Sequence, residues 1–382
     1  MIFTERKPII AINTRHWIPN KMEGIGRFAM NIAIELCCQH PKAEFHWFFD
    51  RKPQIEFSLP KNVKTHVLYP PARTIKLIKF WNNVSVPYVL KKISADIYIS
   101  PDNMNSLKAP CPTISVIHDI NFEHFPYDLP AKISEFYHKY TPAFIDKAIH
   151  VITVSNFSKT DIIQHYNVSP EKISIIHNGV AGHFKPLNSQ LISDTRFRYS
   201  NGKPYFFVLG SIHPRKNLIK TIESYTAFRN KTNNDFPLVI SGRELFSNKN
   251  IGLFLKNNPY KNDISFTGYL DDKTLANVLG SAFSLLYLSV FEGFGVPIIE
   301  AFASNVPVIA SNVSSIPEVA SDAALLVSPH DTKSIVEAMN KLVFDDKART
   351  QLCEKGLRQA NLYKWEKNAE KFWEIIKKYI SN

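Results

Sequence analysis

Short apolar runs recur along the chain, and segments with helical periodicity separate most of them. Each run is four to six residues long and shows no polar alternation. Such runs are typical of strands that are covered on both faces, as in parallel sheets. Six runs precede a polar, aperiodic stretch at residues 184–194, and six follow it. The pattern predicts an α/β fold with two parallel-sheet domains joined by a linker.

The predicted elements give domain boundaries. The first six strands are predicted at 8–13, 45–49, 64–68, 96–100, 113–117 and 150–155, and the second six at 204–209, 237–241, 264–267, 284–288, 307–310 and 324–327. We expect an N-terminal domain over 1–190, a second domain over 200–362, and a C-terminal helix over 363–382 that crosses back to the first domain. Two such domains facing each other would bind a ligand in the cleft between them, at the carboxyl ends of their strands.

Composition excludes several classes of protein. With 382 residues, 45% of them hydrophobic, the chain can bury two large cores and is not generally disordered. The four cysteines, at 37, 38, 111 and 353, form neither a metal-ligand spacing nor a disulfide framework, which favours a reducing, cytoplasmic location. No apolar run reaches the roughly 18 residues of a membrane-spanning helix.

The formal net charge of +12 is unevenly distributed. Residues 51–100 contain 9 Lys and Arg against 2 Asp and Glu, a balance of +7. Arg73, Lys76 and Lys79 recur at spacings of three, with Trp81 close by. On a helix they would form a basic stripe suited to an anionic membrane surface, with Phe80 and Trp81 entering the interface. The alternative is an ordinary core-facing helix with a solvated basic side. No nucleic-acid-binding motif accompanies the charge, so we expect no nucleic-acid partner.

One segment, Phe291-Glu-Gly-Phe-Gly-Val-Pro-Ile-Ile-Glu-Ala-Phe-Ala303, combines glycines, carboxylates and a helix start. Gly293 and Gly295 allow a ligand close to the backbone, and the first helical turn offers free amides to an anion. Glu292 and Glu300 flank this feature, and carboxylates beside an anion site suit the hydroxyls of a sugar. The alternative interpretation is a tight turn followed by an ordinary helix.

This segment, continuing into Ala301-Phe-Ala-Ser-Asn-Val-Pro-Val-Ile-Ala-Ser-Asn312, resembles the signature of family-4 retaining glycosyltransferases, two-domain enzymes of the GT-B fold. Gly210-Ser-Ile-His-Pro-Arg-Lys-Asn-Leu218 is similar to the family's donor-phosphate loop, and Phe266-Thr-Gly-Tyr-Leu-Asp-Asp272 to its nucleobase loop. The motifs occur in the family's order, and the resemblance covers nearly the whole chain. It implies two Rossmann-like domains facing each other across a cleft.

The resemblance also implies roles for individual residues. Arg215 and Lys216 would neutralise the diphosphate of a nucleotide-sugar donor, Glu300 would accept hydrogen bonds from the ribose, and Glu292 would contact the transferred sugar. The remaining donor-binding positions would be Ser211, Gly293, the amides of Phe294 and Gly295, and the backbone of Tyr269 and Leu270. Independently of the family, cations beside a departing diphosphate stabilise the transition state more than the ground state. Because cations at a helix start oppose the helix dipole, a purely structural Arg215-Lys216 pair is disfavoured.

The first domain contributes a second glycine loop and a histidine. Gly24 and Gly26, with Ala29 in the third position, partly match a dinucleotide fingerprint, for which Asp50 could supply the acidic residue. The same glycines resemble the family's loop that approaches the donor phosphate and the acceptor. His118, which ends another predicted strand, matches the family residue that reaches the donor sugar. The alternative for His118 is a hydrogen-bonded core histidine.

We therefore predict a retaining, metal-independent glycosyltransferase without a cofactor. The donor would be GDP-mannose, and the acceptor a glycan or lipid-linked saccharide in surface polysaccharide synthesis, at the inner face of the plasma membrane. UDP-glucose, UDP-linked amino sugars and dTDP-rhamnose remain open as donors. Rival interpretations are a GT-B-fold epimerase or phosphorylase, a catalytically idle sugar-nucleotide-binding or membrane scaffold, and a dehydrogenase based on Gly24 and Gly26.

Overall fold

The computed structural model describes residues 6–18, 22, 24–53, 58–243 and 249–380. The chain forms two compact units. The first unit comprises Met1–Gly179 together with Lys364–Asn382, and the second comprises Val180–Tyr363. Each unit contains one parallel sheet with helices, which confirms the predicted α/β fold with two Rossmann-like domains.

In its described residues, the first unit has a seven-stranded sheet of order β3-β2-β1-β4-β5-β6-β7. The strands are β1 (Ile9–Asn13), β2 (Glu44–Phe49), β3 (Val63–Val67), β4 (Ile97–Ser100), β5 (Thr113–Val116), β6 (His150–Thr153) and β7 (Ile173–Ile175). The six predicted strands of this unit are confirmed. β7 was not predicted, because a three-residue Ile-Ser-Ile segment carries too short an apolar pattern.

The helices of the first unit alternate with these strands along most of the chain. They are α1 (Gly24–Gln39), α2 (Ile75–Phe80), α3 (Val86–Lys92), α4 (Asn121–His124), α5 (Ala131–Lys147) and α6 (Asn156–Tyr166). A π-helical segment, Trp81–Ser85, joins α2 to α3.

The second unit has a six-stranded sheet of order β10-β9-β8-β11-β12-β13 among its described residues. Its strands are β8 (Phe206–Leu209), β9 (Leu238–Ser241), β10 (Ile264–Gly268), β11 (Ser284–Tyr287), β12 (Val308–Ser311) and β13 (Ala324–Val327). All six predicted strands are confirmed. Most of their residues are buried, because helices cover both faces of the sheet.

The helices of the second unit complete its two outer layers. They are α7 (Ser189–Ser200), α8 (Leu218–Lys231), α9 (Lys249–Lys256), α10 (Asp272–Gly280), α11 (Val296–Ala303), α12 (Ile316–Ala320), α13 (Thr332–Phe344) and α14 (Asp346–Ala360).

The linker predicted at residues 184–194 is wrong, because α7 begins within it. Asn188 caps this helix by accepting a hydrogen bond from the amide of Leu191 at 2.8 Å. Gln190 donates to Asp194 one turn later, also at 2.8 Å. Only Thr195 and Ser200 of α7 are buried, so the helix has no apolar periodicity to detect.

The chain returns to the first unit through α15 (Trp365–Ile380). The Trp373 ring stacks on His40 with centroids 3.8 Å apart, and Asn368 donates a hydrogen bond to the carbonyl of His177 at 2.8 Å. The apolar side of α15, including Ala369, Phe372 and Ile376, is fully buried. Among the described residues, no helix combines the length and hydropathy needed to cross a bilayer.

Both sheets reverse their strand order beside the first strand, and this positions the candidate site. In the second unit the reversal lies between β8 and β11, and in the first unit between β1 and β4. Ligands of open α/β sheets bind outside the carboxyl ends of strands at such switch points. The loops that follow these four strands contain most of the predicted site residues.

Candidate functional site

The loop after β8 brings two cations to the switch point of the second unit. A short 3₁₀ turn, Pro214–Lys216, connects the strand to α8, and the ring of His213 accepts a hydrogen bond from the amide of Arg215 at 3.2 Å. Asn217 then fixes the end of the turn by donating to the carbonyls of Leu288 and Pro329. Arg215 and Lys216 are therefore held by local structure at the start of α8.

The predicted residues Arg215, Lys216 and Glu292 meet in one ion-pair network. Nη1 of Arg215 lies 2.7 Å from Oε2 of Glu292, and Nζ of Lys216 lies 2.5 Å from Oε1. The three side chains are mostly buried, with exposures of 17%, 15% and 9%. Arg215 also donates to the carbonyl of Phe291 at 2.7 Å, which ties the cation loop to the glycine loop.

This network sets the charge of Glu292. Burial alone would raise the pKa of the carboxyl group, but the adjacent Arg215 and Lys216 outweigh it and lower that pKa to about 2. Glu292 is therefore ionised at neutral pH. Two cations share one carboxylate, so the network has a local excess of positive charge suited to an anionic ligand.

Tyr287, at the end of β11, is a member of the network that sequence reasoning missed. Its hydroxyl oxygen lies 3.1 Å from Nζ of Lys216, and the same ammonium lies 5.0 Å from the ring centroid. Burial and the charge of Glu292 raise the pKa of Tyr287 well above its usual value, so the phenol keeps its proton. Ser211, Lys216, Tyr287 and Ser289 line one small cavity. The sequence alone indicates only that Tyr287 belongs to a buried strand.

The glycine loop lies next to this network. Gly295 has a φ of +106° at the N-cap of α11, a conformation that disfavours any residue with a Cβ atom. Ser315 donates from Oγ to the carbonyls of Glu292 and Phe294, at 2.8 and 3.0 Å, and so holds the loop on both sides of Gly293.

Glu300 lies one turn into α11 and is only 5% exposed. A carboxylate can accept hydrogen bonds from hydroxyl groups such as those of a ribose. Its predicted role at the ribose stays a prediction.

The predicted nucleobase residues follow β10. The Tyr269 ring is 40% exposed and packs under the guanidinium of Arg243, 4.1 Å from the ring centroid. Leu270 is half-buried. The residues after β9 lie between this loop and the loop after β8: the amide of Gly242 donates to the carbonyl of Gly268 at 3.1 Å, and a Cβ on Gly242 would overlap the carbonyl of Gly210.

His118 of the first unit follows β5 and is 8% exposed. Its ring donates from Nε2 to the carbonyl of Pro101 at 3.0 Å, and Phe28 packs edge-on against it with centroids 5.0 Å apart. Burial lowers the pKa of His118, so the ring is neutral and Nδ1 is left as an acceptor. A neutral imidazole of this kind can accept a hydrogen bond from a hydroxyl group.

Gly24 and Gly26 were predicted to lie in a loop before the first helix, but they lie in the first turn of α1, and their constraints differ. A Cβ on Gly26 would collide with the carbonyl of His16, whereas a Cβ on Gly24 would meet nothing within 4 Å.

Asp50 does not face a ligand as a dinucleotide fingerprint would require. It is fully buried, pairs with Arg51 at 2.6 Å, and accepts a hydrogen bond from the amide of Ala72.

A buried polar network beside β1 and β4 was also missed. Arg15 lies 2.6 Å from Asp102, and both side chains are at most 5% exposed. The guanidinium also lies 2.9 Å from Nε2 of His16, whose pKa burial and the charge of Arg15 lower to about 4. Isolated charged residues separated by more than eighty positions give no signal in a single sequence.

The proposed membrane residues divide into two groups. Arg73, Lys76 and Lys79 are exposed, although Arg73 precedes the helix, which Thr74 caps. The prediction that Trp81 enters a lipid interface is wrong. Trp81 is fully buried and donates from Nε1 to the carbonyl of Leu68 at 3.1 Å, because this side of the helical segment faces the core.

No group of three or more His, Cys, Asp or Glu side chains is arranged to hold a metal ion in the part of the chain that the structure describes.

Two family models match the chain. The model of Glycosyltransferase Family 4 matches residues 22–181, and that of Glycosyl transferases group 1 matches residues 193–359. Together they cover nearly the whole of both units.

Individual relatives agree with these models. The chain is 26% identical over 356 residues to O-antigen chain mannosyltransferase B of Escherichia coli, an alignment that covers 90% of this chain and 93% of the relative. Solved structures with the same fold include WaaG, a glycosyltransferase involved in lipopolysaccharide biosynthesis, with a TM-score of 0.76, 16% identity, and coverage of 96% and 99%. Another is Anabaena HepE in complex with UDP-glucose, with a TM-score of 0.75, 16% identity, and coverage of 97% and 99%.

Proposed function

Since this chain belongs to the family 4 and group 1 glycosyltransferases of the GT-B fold, we propose that it transfers mannose from GDP-mannose to a saccharide acceptor. The transfer would retain the anomeric configuration and would need neither a metal ion nor a cofactor. The product would be a growing surface polysaccharide.

One observation carries the proposal: Glu292 is held between Arg215 and Lys216 in a largely buried network. A diphosphate entering this position would offer both cations a more highly charged partner. Glu292 would then be released to accept hydrogen bonds from the sugar hydroxyls. The cations would stabilise the negative charge that grows on the diphosphate as the glycosidic bond breaks.

We propose retention and metal independence for the same arrangement. Two buried cations supply the charge neutralisation that a divalent ion provides in other nucleotide-sugar enzymes. The acceptor hydroxyl would attack from the face that the diphosphate leaves, and a leaving phosphate oxygen would take its proton. His118, neutral and with Nδ1 as an acceptor, would hydrogen-bond a hydroxyl of the transferred sugar.

The choice of mannose rests on similarity to O-antigen chain mannosyltransferase B, which the alignment covers almost end to end. The HepE complex with UDP-glucose makes UDP-sugars the first competitors to test. Tyr269, Leu270, Ser211 and Glu300 would bind the nucleoside and phosphates, together with the glycine loop at Gly293, Phe294 and Gly295. Gly24 and Gly26 of the first unit are proposed as further donor-binding positions.

The acceptor would be lipid-linked, and the enzyme peripheral at an anionic membrane surface on the cytoplasmic side. The exposed cations Arg73, Lys76 and Lys79 support this part of the proposal. A membrane scaffold without activity would share the basic surface, but it would have no use for a buried Glu292 with two cationic partners.

Thermal unfolding of the purified protein with GDP-mannose, UDP-glucose, a dTDP-sugar and an ADP-sugar tests the donor assignment. Because a ligand at a given concentration stabilises the folded state more the more tightly it binds, GDP-mannose should raise the Tm most. The Lys216→Ala variant should lose this shift. A larger shift with a UDP-sugar would overturn the choice of donor, and no shift with any of the four would overturn the site.

A further inference from the structure

The segment between residues 58 and 95 carries an unusual charge pattern. It contains seven Lys and Arg residues and no Asp or Glu. Five of the seven, Arg73, Lys76, Lys79, Lys91 and Lys92, are exposed and lie in or beside α2 and α3. No ion pair joins any of these five to a carboxylate among the described residues. This surface therefore presents uncompensated positive charge.

The helical part of the segment is continuous from Ile75 to Lys92. The residues at both joints of the π-helical segment, including Phe80 and Val86, have right-handed helical dihedral angles. One side of this helix is core: Trp81 and Val86 are fully buried, and Leu90 nearly so. The other side is not needed for that core and faces solvent.

Large apolar side chains occupy the solvent side. Phe80, Val84 and Tyr88 recur every four residues and are 47%, 48% and 69% exposed. Lys76 and Lys92 continue the same spacing at the two ends of this line. Residues four apart are neighbours on a helix, so the line is an apolar ridge with a cation at each end.

A groove lies between Tyr69 and this ridge. It is 70% exposed, and its carbonyl accepts a hydrogen bond from Oγ of Ser85 at 2.6 Å, which ties it to the helix. The groove between them has a volume of about 360 Å³ and is lined by Val67, Leu68, Tyr69, Val84, Ser85, Tyr88 and Val89. Tyr69 and Tyr88, which line it, are both largely exposed to solvent.

We propose that this ridge and groove dock the protein on an anionic lipid bilayer, with Tyr69, Phe80, Val84 and Tyr88 entering the interface. The inference deepens the membrane contact in the proposed function and rests on it. Exposed aromatic and aliphatic side chains gain most where they leave water for the headgroup and acyl boundary. The surrounding cations select anionic headgroups, and the absence of carboxylates removes the repulsion that would oppose binding.

The apolar ridge and groove favour a lipid surface over an acidic protein partner. An acidic protein partner would pair with individual cations and would not require a ridge of exposed apolar side chains with an apolar groove beside it. Val67, Leu68 and Val89 give the groove an almost entirely apolar lining, which suits a hydrocarbon chain.

Sedimentation of the full chain with vesicles tests the proposal. The wild-type protein should bind vesicles of phosphatidylcholine and phosphatidylglycerol, and should not bind phosphatidylcholine alone. The variant Phe80→Ser/Val84→Ser/Tyr88→Ser should lose about tenfold or more in partitioning. The variant Lys76→Gln/Lys79→Gln/Lys91→Gln/Lys92→Gln should lose at least as much, and high salt should weaken binding of the wild-type protein.

Matched controls are available on other surfaces. Phe197, Phe344 and Leu362 are 79%, 70% and 66% exposed, so replacing all three with Ser removes similar apolar area. Replacing Lys333, Lys347, Lys367 and Lys371 with Gln removes the same charge from exposed positions elsewhere. Both control variants should bind vesicles as the wild-type protein does.

Three results would overturn the proposal: no binding of the wild-type protein to anionic vesicles, equal binding to phosphatidylcholine alone, or losses in the control variants as large as those in the ridge variants. Release of GDP from GDP-mannose without vesicles is measured in parallel. It should be unchanged in all ridge variants. Because that readout needs no membrane, a failure of the proposed catalysis and a failure of the proposed docking appear in different assays.

Discussion

The hydroxyl oxygen of Tyr287 lies 3.1 Å from Nζ of Lys216, at the carboxyl end of β11. Lys216 therefore has two buried partners, the Glu292 carboxylate and this phenol. A donor diphosphate would compete with Glu292 for the ammonium, but it would not displace the neutral phenol. Tyr287 is thus placed to keep Lys216 in position while its ionic partner changes.

Replacing Tyr287 with Phe should lower kcat/KM for the donor by about tenfold, equivalent to roughly 1.4 kcal/mol, because Lys216 loses one hydrogen-bond partner. Steady-state kinetics at several donor concentrations measure this. Tyr225→Phe is the matched control, since that buried hydroxyl donates to the carbonyl of Phe236 in the same unit. Equal kinetic losses in both variants would mean that Tyr287 acts only through stability.

Removing Lys216 or Glu292 should abolish transfer. Lys216→Ala and Glu292→Ala should each lower kcat by about 10²-fold or more, because they remove charge stabilisation of the leaving group or a contact to the sugar. Circular dichroism should show both variants folded. Lys220→Ala is the control, since Lys220 pairs with Glu223 on the surface of α8. Normal turnover in either site variant would refute the site assignment.

The depressed pKa of Glu292 predicts a pH dependence of stability. Its pKa falls from 4.5 to about 2 on folding, so the ionised form favours the folded state above pH 4.5. That contribution should disappear as the pH falls from about 4.5 to about 2. Glu292→Gln should therefore be less stable than the wild-type protein at pH 7, with the difference shrinking through this window. Urea unfolding at each pH measures it, and a constant difference would contradict the assignment.

Gly295 should resist substitution. At a φ of +106°, an added Cβ would also lie 3.1 Å from Cδ1 of Ile298, so Gly295→Ala should lower the free energy of unfolding by about 1–3 kcal/mol. It should also weaken donor binding, because the loop next to Glu292 must shift. Gly182→Ala, where the added Cβ meets nothing within 4 Å, should be close to neutral in denaturant unfolding.

Trp81 should behave as a core residue. Trp81→Ala should destabilise the protein by about 3–5 kcal/mol, because it opens a cavity and leaves the carbonyl of Leu68 without its donor. Thermal or urea unfolding measures this. A change below about 1 kcal/mol would mean that the ring is not packed as described.

The strands were predictable because helices cover both faces of each sheet. This burial makes β4 and β12 continuous apolar runs that a sequence reveals directly. α7 was missed because its stability comes from the Asn188 cap and polar pairs rather than from an apolar face. The position of Trp81 was predicted wrongly. An amphipathic pattern shows that a helix has an apolar and a polar side, but it does not show which of two adjacent aromatic residues faces the core.

The site was predictable where it depends on local chemistry. Gly295 interrupts an apolar segment, and Arg215 and Lys216 occupy an unfavourable helix start, so each stands out in one sequence. Tyr287 could not be identified as a site residue from the sequence, because an aromatic residue in a buried strand is typical of ordinary core packing. The Arg15–Asp102 pair depends on the order of β1 and β4 in the sheet, which no local pattern encodes.

The network of Arg215, Lys216 and Glu292 is proposed to transfer mannose with retention of the anomeric configuration. Incubation with GDP-mannose and an octyl α-mannoside, followed by NMR of the product and measurement of released GDP, tests it. We predict release of GDP and a mannosyl product with the same anomeric configuration as the donor, both lost in Lys216→Ala. A product of inverted configuration, or donor binding without any release of GDP, would contradict it.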